Sequence, residues 1–300
     1  MENLYLLAFC FLLGCGLRTS GRLPDNAPAT LNAFIIHVSL PALTLHHVHA
    51  MRLDSALLWP TLMPWIVFAL GAAFFWCIGR AFRLPRATCG GLMLYGSLGN
   101  TSFVGLPMIE AFYGTTYLAT GLLIDQLGSY LVLSTVGILV AGLYSNGPSG
   151  FDLRGACLRC LRFPPLIAMV AAIALMPLAY PPAIDALLLR LGATLAPLAL
   201  ISVGFQLRLR QLEGQWLPLG AGLGFKLLLA PLAVWLLYGG VFGRSGPEFQ
   251  VTIFEAAMAP SIGASIVAME HKLNAPLATL MIGIGIPVSF LTLPLWHAFL

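Results

Sequence analysis

Three charged residues stand well inside long apolar runs, where an ionised side chain is costly. They are Asp125, Lys226 and Glu255. A charge at the centre of a bilayer costs about 2.5–3.5 kcal/mol on insertion scales, and such residues usually pair with one another or serve an ion pathway. These three could bind a proton or another ion, with Gln126 adding polarity beside Asp125, or they could form a buried structural ion pair. The sequence alone leaves both interpretations open.

A second group of polar residues interrupts two apolar runs near their middle, at residues 96–107 and 259–265. Glycine lowers helix stability and proline removes a backbone donor, so a continuous helix is not expected in either run. The unpaired N–H groups where a helix restarts favour an anion, although two kinks without a ligand would fit the same residues. The candidate binding residues of these segments are Asn100, Thr101, Ser102, Pro107, Pro260, Ser261 and Gly263.

Histidines and cysteines give weaker signals for metal or redox chemistry. His46, His47 and His49 cluster near the end of one apolar run, where metal binding competes with a plain interfacial loop. Cys157 and Cys160 form a single pair, which is weak evidence for zinc or redox work. We therefore predict neither a metal site nor a cofactor.

The composition points to a membrane protein. Hydrophobic residues make up 59% of the 300 residues, charged residues make up 9%, and the mean hydropathy is +0.91. A water-soluble domain carries roughly a quarter charged residues, so this chain could not cover a globular surface with them. The net charge of +4 comes from arginines scattered between apolar runs. We therefore expect the lipid bilayer as a partner, and no nucleic acid.

Hydropathy and turn signals predict an all-α polytopic protein with ten spans. The predicted spans are 3–18, 29–48, 55–79, 87–111, 116–144, 161–180, 183–206, 216–242, 248–270 and 275–299. The loops after odd-numbered spans hold eleven lysines and arginines, and the loops after even-numbered spans hold three. Because positive residues are enriched in cytoplasmic loops, the odd loops are predicted to be cytoplasmic and both termini to lie outside a bacterial inner membrane.

The two halves of the chain also resemble each other. Residues 118–120 and 277–279 both read Leu-Ala-Thr, and Pro41 is echoed by Pro197. We predict a first five-helix repeat at 1–144, a short cytoplasmic linker at 145–160 and a second repeat at 161–300. Because each repeat has an odd number of spans, the second repeat would be inverted in the membrane relative to the first. Many secondary transporters have such inverted repeats, and their binding sites lie at interrupted helices.

Several strings resemble the auxin efflux carrier family, particularly its bacterial permease members. The strings are Gly99-Asn100-Thr101, Gly105-Leu106-Pro107, Asn32-Ala33-Phe34, Leu40-Pro41-Ala42 and the run from Ser289 to Trp296. The resemblance covers essentially the whole chain. It implies the inverted-repeat fold of sodium/proton antiporters and bile-acid symporters, with broken helices four and nine crossing. It also implies a scaffold domain from spans one, two, six and seven, and a core domain from the rest.

The resemblance further implies a site and a substrate class. Asn100, Thr101 and Pro260 would lie at the crossing with Ser39 opposite, and the substrate would be a small carboxylate such as auxin, malate or malonate. Relatives with this fold suggest a homodimer. Two features depart from the family: the central loop is short, and Ala264 stands where some relatives carry a polar residue.

We therefore expect a secondary transporter of a small organic anion that works by alternating access, with proton or sodium coupling left open. A sodium-coupled symporter of a bile-acid-type anion and a passive uniporter or channel share nearly every feature. A membrane-embedded enzyme is disfavoured, because the chain has no His-Glu-x-x-His, no Asp-rich pair and no phosphate loop. No catalytic residue is predicted.

Overall fold

The computed structural model of the protein describes residues 2–51, 54, 57–145, 155, 158, 161–207 and 214–300. Cys157 and Cys160, with most of the predicted linker, lie outside these residues.

The described chain is helical. Its first half contains α1 (Glu2–Thr19), α2 (Ala27–His49), α3 (Leu58–Ala81), α4 (Arg86–Tyr95), α5 (Thr101–Phe112) and α6 (Thr115–Tyr144). Its second half contains α7 (Pro164–Leu175), α8 (Pro182–Gln206), α9 (Trp216–Val241), α10 (Pro247–Ala256), α11 (Ile262–Glu270) and α12 (Ala275–Phe299). Among the described residues, β-type pairing is confined to one isolated bridge, between Gly99 and Pro260.

Six of these helices, namely α2, α3, α6, α8, α9 and α12, are long and apolar enough to cross a membrane. They correspond to the predicted spans two, three, five, seven, eight and ten. Helices α1 and α7 are shorter. Predicted span six ends early, at Leu175, two residues before Pro177, which has no N–H to continue the helical hydrogen bonds. Predicted spans four and nine are each divided into two helices, so the ten-span topology stays a prediction.

Large apolar side chains on the outside of the bundle are exposed rather than packed. They include Tyr5, Phe9, Leu12, Val170, Trp216, Leu291 and Leu295. A protein in water rarely leaves so much apolar surface uncovered, whereas a membrane protein presents it to lipid. The exposed surface therefore agrees with a polytopic membrane protein.

Several helices contain π-helical turns, and prolines explain three of them. Proline lacks an N–H and crowds the carbonyl four residues earlier, so the preceding turn widens to accommodate that carbonyl. The three turns each end two residues before a proline: Ile35–Ser39 before Pro41, Thr101–Gly105 before Pro107, and Phe225–Leu229 before Pro231. A further π-helical segment, Ile124–Tyr130, carries Asp125 and Gln126. Most of the polar candidates thus lie on widened turns, which are common at functional sites.

The helices pack in two groups. In the first, which we call the scaffold group, α1 packs along the second half of α8, and the second half of α2 packs against α7 and the first half of α8. In the second, the core group, α3 packs against α4 and α6, α4 packs against α11, and α9 packs against α10 and α12. Helix α5 belongs to the core group and also contacts α8, which brings the broken segment against the scaffold.

Candidate functional site

The two interrupted segments cross where their helices break. The Asn100 N–H donates to the Ala259 carbonyl at 2.7 Å, and the Ser261 N–H donates to the Leu98 carbonyl at 3.0 Å. These reciprocal bonds flank the bridge between Gly99 and Pro260. The backbone groups released by the two breaks therefore satisfy each other, as an interior away from water requires.

Each half-helix after the crossing begins with a side-chain cap. Asn100 Oδ1 accepts a hydrogen bond from the Phe103 N–H at 3.1 Å, and Ser261 Oγ accepts one from the Ala264 N–H at 3.3 Å. Asparagine and serine are among the preferred N-cap residues because their short side chains reach back to the first turn. Polar residues at the two breaks thus start helices α5 and α11 at the crossing.

A cavity of about 310 Å³ lies beside this crossing. From the crossing, Asn100, Thr101, Ser102, Ser261 and Gly263 line it. Asp125, Ser129 and Ser134 line it from α6, and Ile36, Phe103, Leu133 and Ile266 add apolar wall. Small-molecule sites typically combine an apolar lining with a few polar groups that fix orientation, and this cavity has that character.

Asn100 lines this cavity and carries an unused donor. Its side chain is 3% exposed, and its Nδ2 has no hydrogen-bond partner among the described residues. A buried polar group without a partner costs roughly 1–3 kcal/mol, so such a group in a binding cavity is suited to bind a ligand. The Asn100 amide can therefore donate to an acceptor placed in the cavity.

Asp125 lies at the same cavity and is held by the first turn of α5. Its Oδ1 accepts hydrogen bonds from Thr101 Oγ1 at 2.6 Å and from Ser102 Oγ at 2.5 Å. Asp125 is 4% exposed. The sequence placed Asp125 among ion-coupling candidates and the two hydroxyls among substrate-binding candidates, and the structure brings all three side chains together.

Lys226 and Glu255 lie on the other side of the crossing, each 1% exposed. Lys226 Nζ donates to the Ala256 carbonyl at 2.5 Å, whereas neither carboxylate oxygen of Glu255 has a hydrogen-bond partner among the described residues. In the described part of the chain the one ion pair joins His46 to Asp185. Direct pairing among Asp125, Lys226 and Glu255 is therefore not seen, and the hydrogen bond of Lys226 goes to the Ala256 carbonyl.

Lys226 and Glu255 line a second, very small cavity of about 10 Å³ next to the larger one. A cavity of this size holds about one water molecule. The two cavities share Leu98, Gly99, Thr101 and Ser129 as a common wall. Ser97 also lines the small cavity, and its buried hydroxyl has no partner among the described residues. The crossing thus has an anion-sized space on one side and a small charged space on the other.

Two predicted site residues lie away from the cavity, Ser39 and Gln126. Ser39 does not face the crossing: it is fully buried and its hydroxyl is 2.7 Å from that of Thr194 on α8. Ile36 and Leu40 line the cavity from α2 instead, because the π-helical turn before Pro41 rotates Ser39 toward the scaffold. Gln126 Nε2 donates to Thr44 Oγ1 at 2.6 Å and does not line the cavity.

The two predicted proline positions shape the site without lining the cavity. Pro107 lies in the first turn of the helical segment Leu106–Phe112, directly after the widened turn that carries Thr101 and Ser102. Pro260 forms the bridge with Gly99. Its ring packs against Gly285, where an added Cβ would lie only 2.6 Å from Pro260 Cδ. Both prolines therefore fix the backbone at the crossing.

An aromatic pair that the sequence did not predict lines the cavity. The rings of Tyr130 and Phe163 stack with centroids 3.6 Å apart and planes 11° apart. Both residues, with Ile36, also line a neighbouring cavity that reaches Arg162. Phe163 directly precedes Pro164 in a loop, and nothing in its local pattern pairs it with Tyr130. Only the packing of α6 against α7 shows the pair.

The histidine cluster ties the scaffold helices together. His46 Nδ1 is 2.7 Å from Asp185 Oδ1, and His49 Nε2 is 2.7 Å from the Leu178 carbonyl. His49 also stacks on Tyr180 with centroids 3.8 Å apart. Among the described residues no group of three or more His, Cys, Asp or Glu side chains is placed to hold a metal ion. Through these contacts, His46 and His49 link α2 to the segment that runs from α7 into α8.

Comparison with known proteins identifies the family. The family model described as "Membrane transport protein" matches residues 1–146 and 153–297. An uncharacterized transporter of Methanothermobacter thermautotrophicus is 28% identical and covers 100% of this chain and 98% of its own length. An uncharacterized transporter of Methanocaldococcus jannaschii is 24% identical, with coverages of 99% and 97%. Both relatives are archaeal rather than bacterial, and the resemblance to the auxin efflux carrier family is confirmed. The chain belongs to the membrane transport protein family, and it is a multi-pass membrane protein of a family of transporters.

Proposed function

We propose that this protein is a secondary transporter that moves a small organic anion, such as malate, malonate or an auxin-like acid, by alternating access. The observation that carries the proposal is Asn100, which lines the cavity beside the crossing and whose buried Nδ2 has no hydrogen-bond partner among the described residues. An amide N–H there can donate to a carboxylate oxygen. The absence of a competing partner means that binding gains a hydrogen bond without breaking one.

The backbone at the crossing adds further donors for the same carboxylate. Within the described residues, no hydrogen bond takes up the N–H groups of Thr101, Ser102, Ile262 or Gly263, which begin the two half-helices. Each helix start carries about half a positive charge, so two starts that meet at one cavity favour an anion. Transporters with interrupted helices commonly bind anionic substrate groups in this way.

The size and lining of the cavity support a small acid with an apolar part. Its volume of about 310 Å³ lies at the lower end of the range for ligand sites. The carboxylate would lie against Asn100 and the helix starts, and the rest of the molecule would contact Ile36, Phe103 and Leu133. A bulky amphipathic anion fits this volume less well, which favours a small carboxylate over a bile-acid-type substrate.

We propose that a proton or sodium ion accompanies the anion and that Asp125, Lys226 and Glu255 form the coupling group. If all three are ionised, they carry one excess negative charge inside the membrane. An anion entering beside Asp125 raises that cost further unless a cation binds as well. The polar wall that separates the two cavities would let an ion near Glu255 and an anion near Asn100 influence each other.

Movement of the core group against the scaffold group would provide alternating access. The hydrogen bond between Gln126 on α6 and Thr44 on α2 joins the two groups, and such a bond must break if they slide. The stacked Tyr130 and Phe163 rings also join α6 to the start of α7. We propose that their separation opens the cavity toward the side of Arg162.

The predicted topology belongs to the same proposal. Two inverted repeats, 1–144 and 161–300, would place both termini outside an inner membrane and the arginine-rich loops in the cytoplasm. The imbalance of basic residues between alternate loops supports this orientation. A homodimer through the exposed scaffold helices is part of the expectation from the resemblance.

Uptake into proteoliposomes tests the proposed function. Radiolabelled malate, malonate and indole acetate would be offered with imposed proton or sodium gradients, and the gradient that drives accumulation would name the ion. We expect saturable accumulation of one acid. Flux that rises linearly with concentration would indicate a channel, and saturable uptake without accumulation would indicate a passive uniporter. No uptake of any acid by folded protein would overturn the carboxylate assignment.

A further inference from the structure

A groove remote from the crossing lies where the ends of α3, α4 and α6 meet. It has a volume of about 460 Å³ and is lined by Trp76, Arg80, Leu84, Arg86, Leu143 and Tyr144, with two small residues. It lies beside the turn between α3 and α4, which carries Arg83 and which the predicted topology places on the cytoplasmic side. The proposed transport mechanism leaves this groove without a role.

Aromatic rings hold both arginines of the groove in place. The guanidinium carbon of Arg80 lies 4.9 Å from the ring centroid of Trp76, and that of Arg86 lies 5.6 Å from the ring of Tyr144. Arg86 also donates from one terminal nitrogen to the Leu143 carbonyl at 2.5 Å. A guanidinium has five N–H donors, so each arginine keeps donors that point away from these contacts. Two pre-positioned cations thus share one groove.

Among the described residues, no carboxylate pairs with either arginine. No aspartate or glutamate lines the groove, and in the described part of the chain no ion pair includes Arg80 or Arg86. Both guanidinium groups line the one groove. A guanidinium matches the geometry of a phosphate, which arginine can bind through two parallel hydrogen bonds where lysine cannot. The charge of the groove therefore calls for an anion with phosphate-like geometry.

The surface around the groove distinguishes a phospholipid from a soluble phosphate as its ligand. Trp76 is 48% exposed, Leu143 is 49% exposed and Phe82, in the adjoining turn, is 54% exposed. Tryptophan and tyrosine are typical of the boundary between headgroups and hydrocarbon. A soluble phosphate would gain nothing from this apolar rim, whereas a phospholipid would place its acyl chains on it. Basic pockets between membrane helices are known sites for anionic headgroups.

We propose that this groove binds an anionic phospholipid, with Arg80 and Arg86 on the phosphate and the acyl chains along Trp76 and Leu143. The bound lipid would come from the leaflet on the side of the basic loops. It would join the end of α3 to the end of α6 within the core group. This inference is independent of the substrate and of the coupling ion.

Native mass spectrometry of the purified protein, titrated with phosphatidylglycerol or phosphatidylcholine, tests the proposal. We expect retained phosphatidylglycerol in preference to phosphatidylcholine. The Arg80→Gln variant should weaken phosphatidylglycerol binding about fivefold, and Arg80→Gln with Arg86→Gln about 25-fold, because each cation near the surface contributes about 1 kcal/mol. Arg80 makes no hydrogen bond to another described residue, so Arg80→Gln removes only its contact with the Trp76 ring. The single variant therefore tests lipid binding even if the double variant folds poorly.

Arg244 provides a matched control. Its guanidinium lies 4.6 Å from the Trp59 ring, but Asp54 and Glu248 line the cavity beside it. The Arg244→Gln variant should leave phosphatidylglycerol binding unchanged. Equal binding of phosphatidylglycerol by the wild type and the double variant would overturn the proposal, as would an equal loss in Arg244→Gln. Displacement of the lipid by free glycerol phosphate at matched concentration would also overturn it, because the apolar rim would then contribute nothing.

Discussion

Asn100 and Ser261 cap the two half-helices that leave the crossing, and the backbone N–H of each is bonded to the segment of the other. Asn100 bonds to the Ala259 carbonyl at 2.7 Å, and Ser261 bonds to the Leu98 carbonyl at 3.0 Å. The two helix starts are therefore fixed relative to each other. A ligand held by one helix start therefore meets the other helix start at a set distance.

Replacing Gly105 by alanine should disturb Glu255. A Cβ at this position would lie 2.5 Å from Glu255 Oε1 and 2.6 Å from Oε2, so the carboxylate must move within a packed interior. We expect a loss of about 1–3 kcal/mol in stability, as for other overpacked cores. Thermal unfolding in detergent measures it. Gly142→Ala is the control, because a Cβ there meets nothing within 4 Å. Equal melting temperatures for the two variants would show that Glu255 is not confined as described.

The Asp125→Asn substitution should uncouple transport from its driving gradient. Asparagine keeps an oxygen that can accept from Thr101 and Ser102 but cannot carry the negative charge. We expect uptake to continue by exchange while accumulation driven by a proton or sodium gradient is lost. The control is Asp185→Asn, which removes the exposed partner of His46. Gradient-driven accumulation at the wild-type level in Asp125→Asn would remove Asp125 from the coupling group.

Phe163→Ala should open the cavity toward the side of Arg162, because it removes one ring of the stacked pair with Tyr130. A cysteine introduced at Ser134, in a background without other cysteines, would report the change through its rate of modification by a water-soluble thiol reagent. We expect at least a severalfold faster reaction. Phe9→Ala, on the exposed face of α1, serves as the control. An unchanged rate would mean that the pair does not close the cavity.

Ser39→Ala should affect stability and leave substrate affinity unchanged. The Ser39 hydroxyl bonds to Thr194 inside the scaffold group and does not line the cavity. Loss of such a bond costs about 1 kcal/mol. Unfolding measurements and the KM for uptake separate the two effects. A large rise in KM with unchanged stability would return Ser39 to the binding site.

The sequence was sufficient to predict the breaks and their chemistry. Glycine, proline and small polar residues in the middle of two apolar runs predicted helix interruptions, and the helices do end at Tyr95 and Ala256 and restart at Thr101 and Ile262. Because backbone conformation at these positions depends mainly on local residue type, a local pattern was enough. The burial of Asp125, Lys226 and Glu255 was also predictable, because each stands well inside a long apolar run.

The orientation of side chains on continuous helices was not predictable in the same way. Ser39 was expected at the site, but a single widened turn before Pro41 changes which face a residue occupies. The Tyr130–Phe163 pair joins residues far apart in the chain, and the Ala256 carbonyl replaces the expected carboxylate as the partner of Lys226. Each of these depends on how helices pack, which residue type and spacing do not specify.

The most direct test of the central claim compares Asn100→Asp with Asn274→Asp in the proteoliposome uptake assay. Both asparagines are N-caps, since Asn274 Oδ1 accepts from the Leu277 N–H at 3.2 Å as Asn100 Oδ1 accepts from Phe103. Aspartate keeps either cap but removes the Asn100 donor and puts a negative charge at the cavity. We predict that Asn100→Asp abolishes saturable uptake of the organic anion while Asn274→Asp retains it. Wild-type uptake by folded Asn100→Asp protein would contradict a substrate site at the crossing.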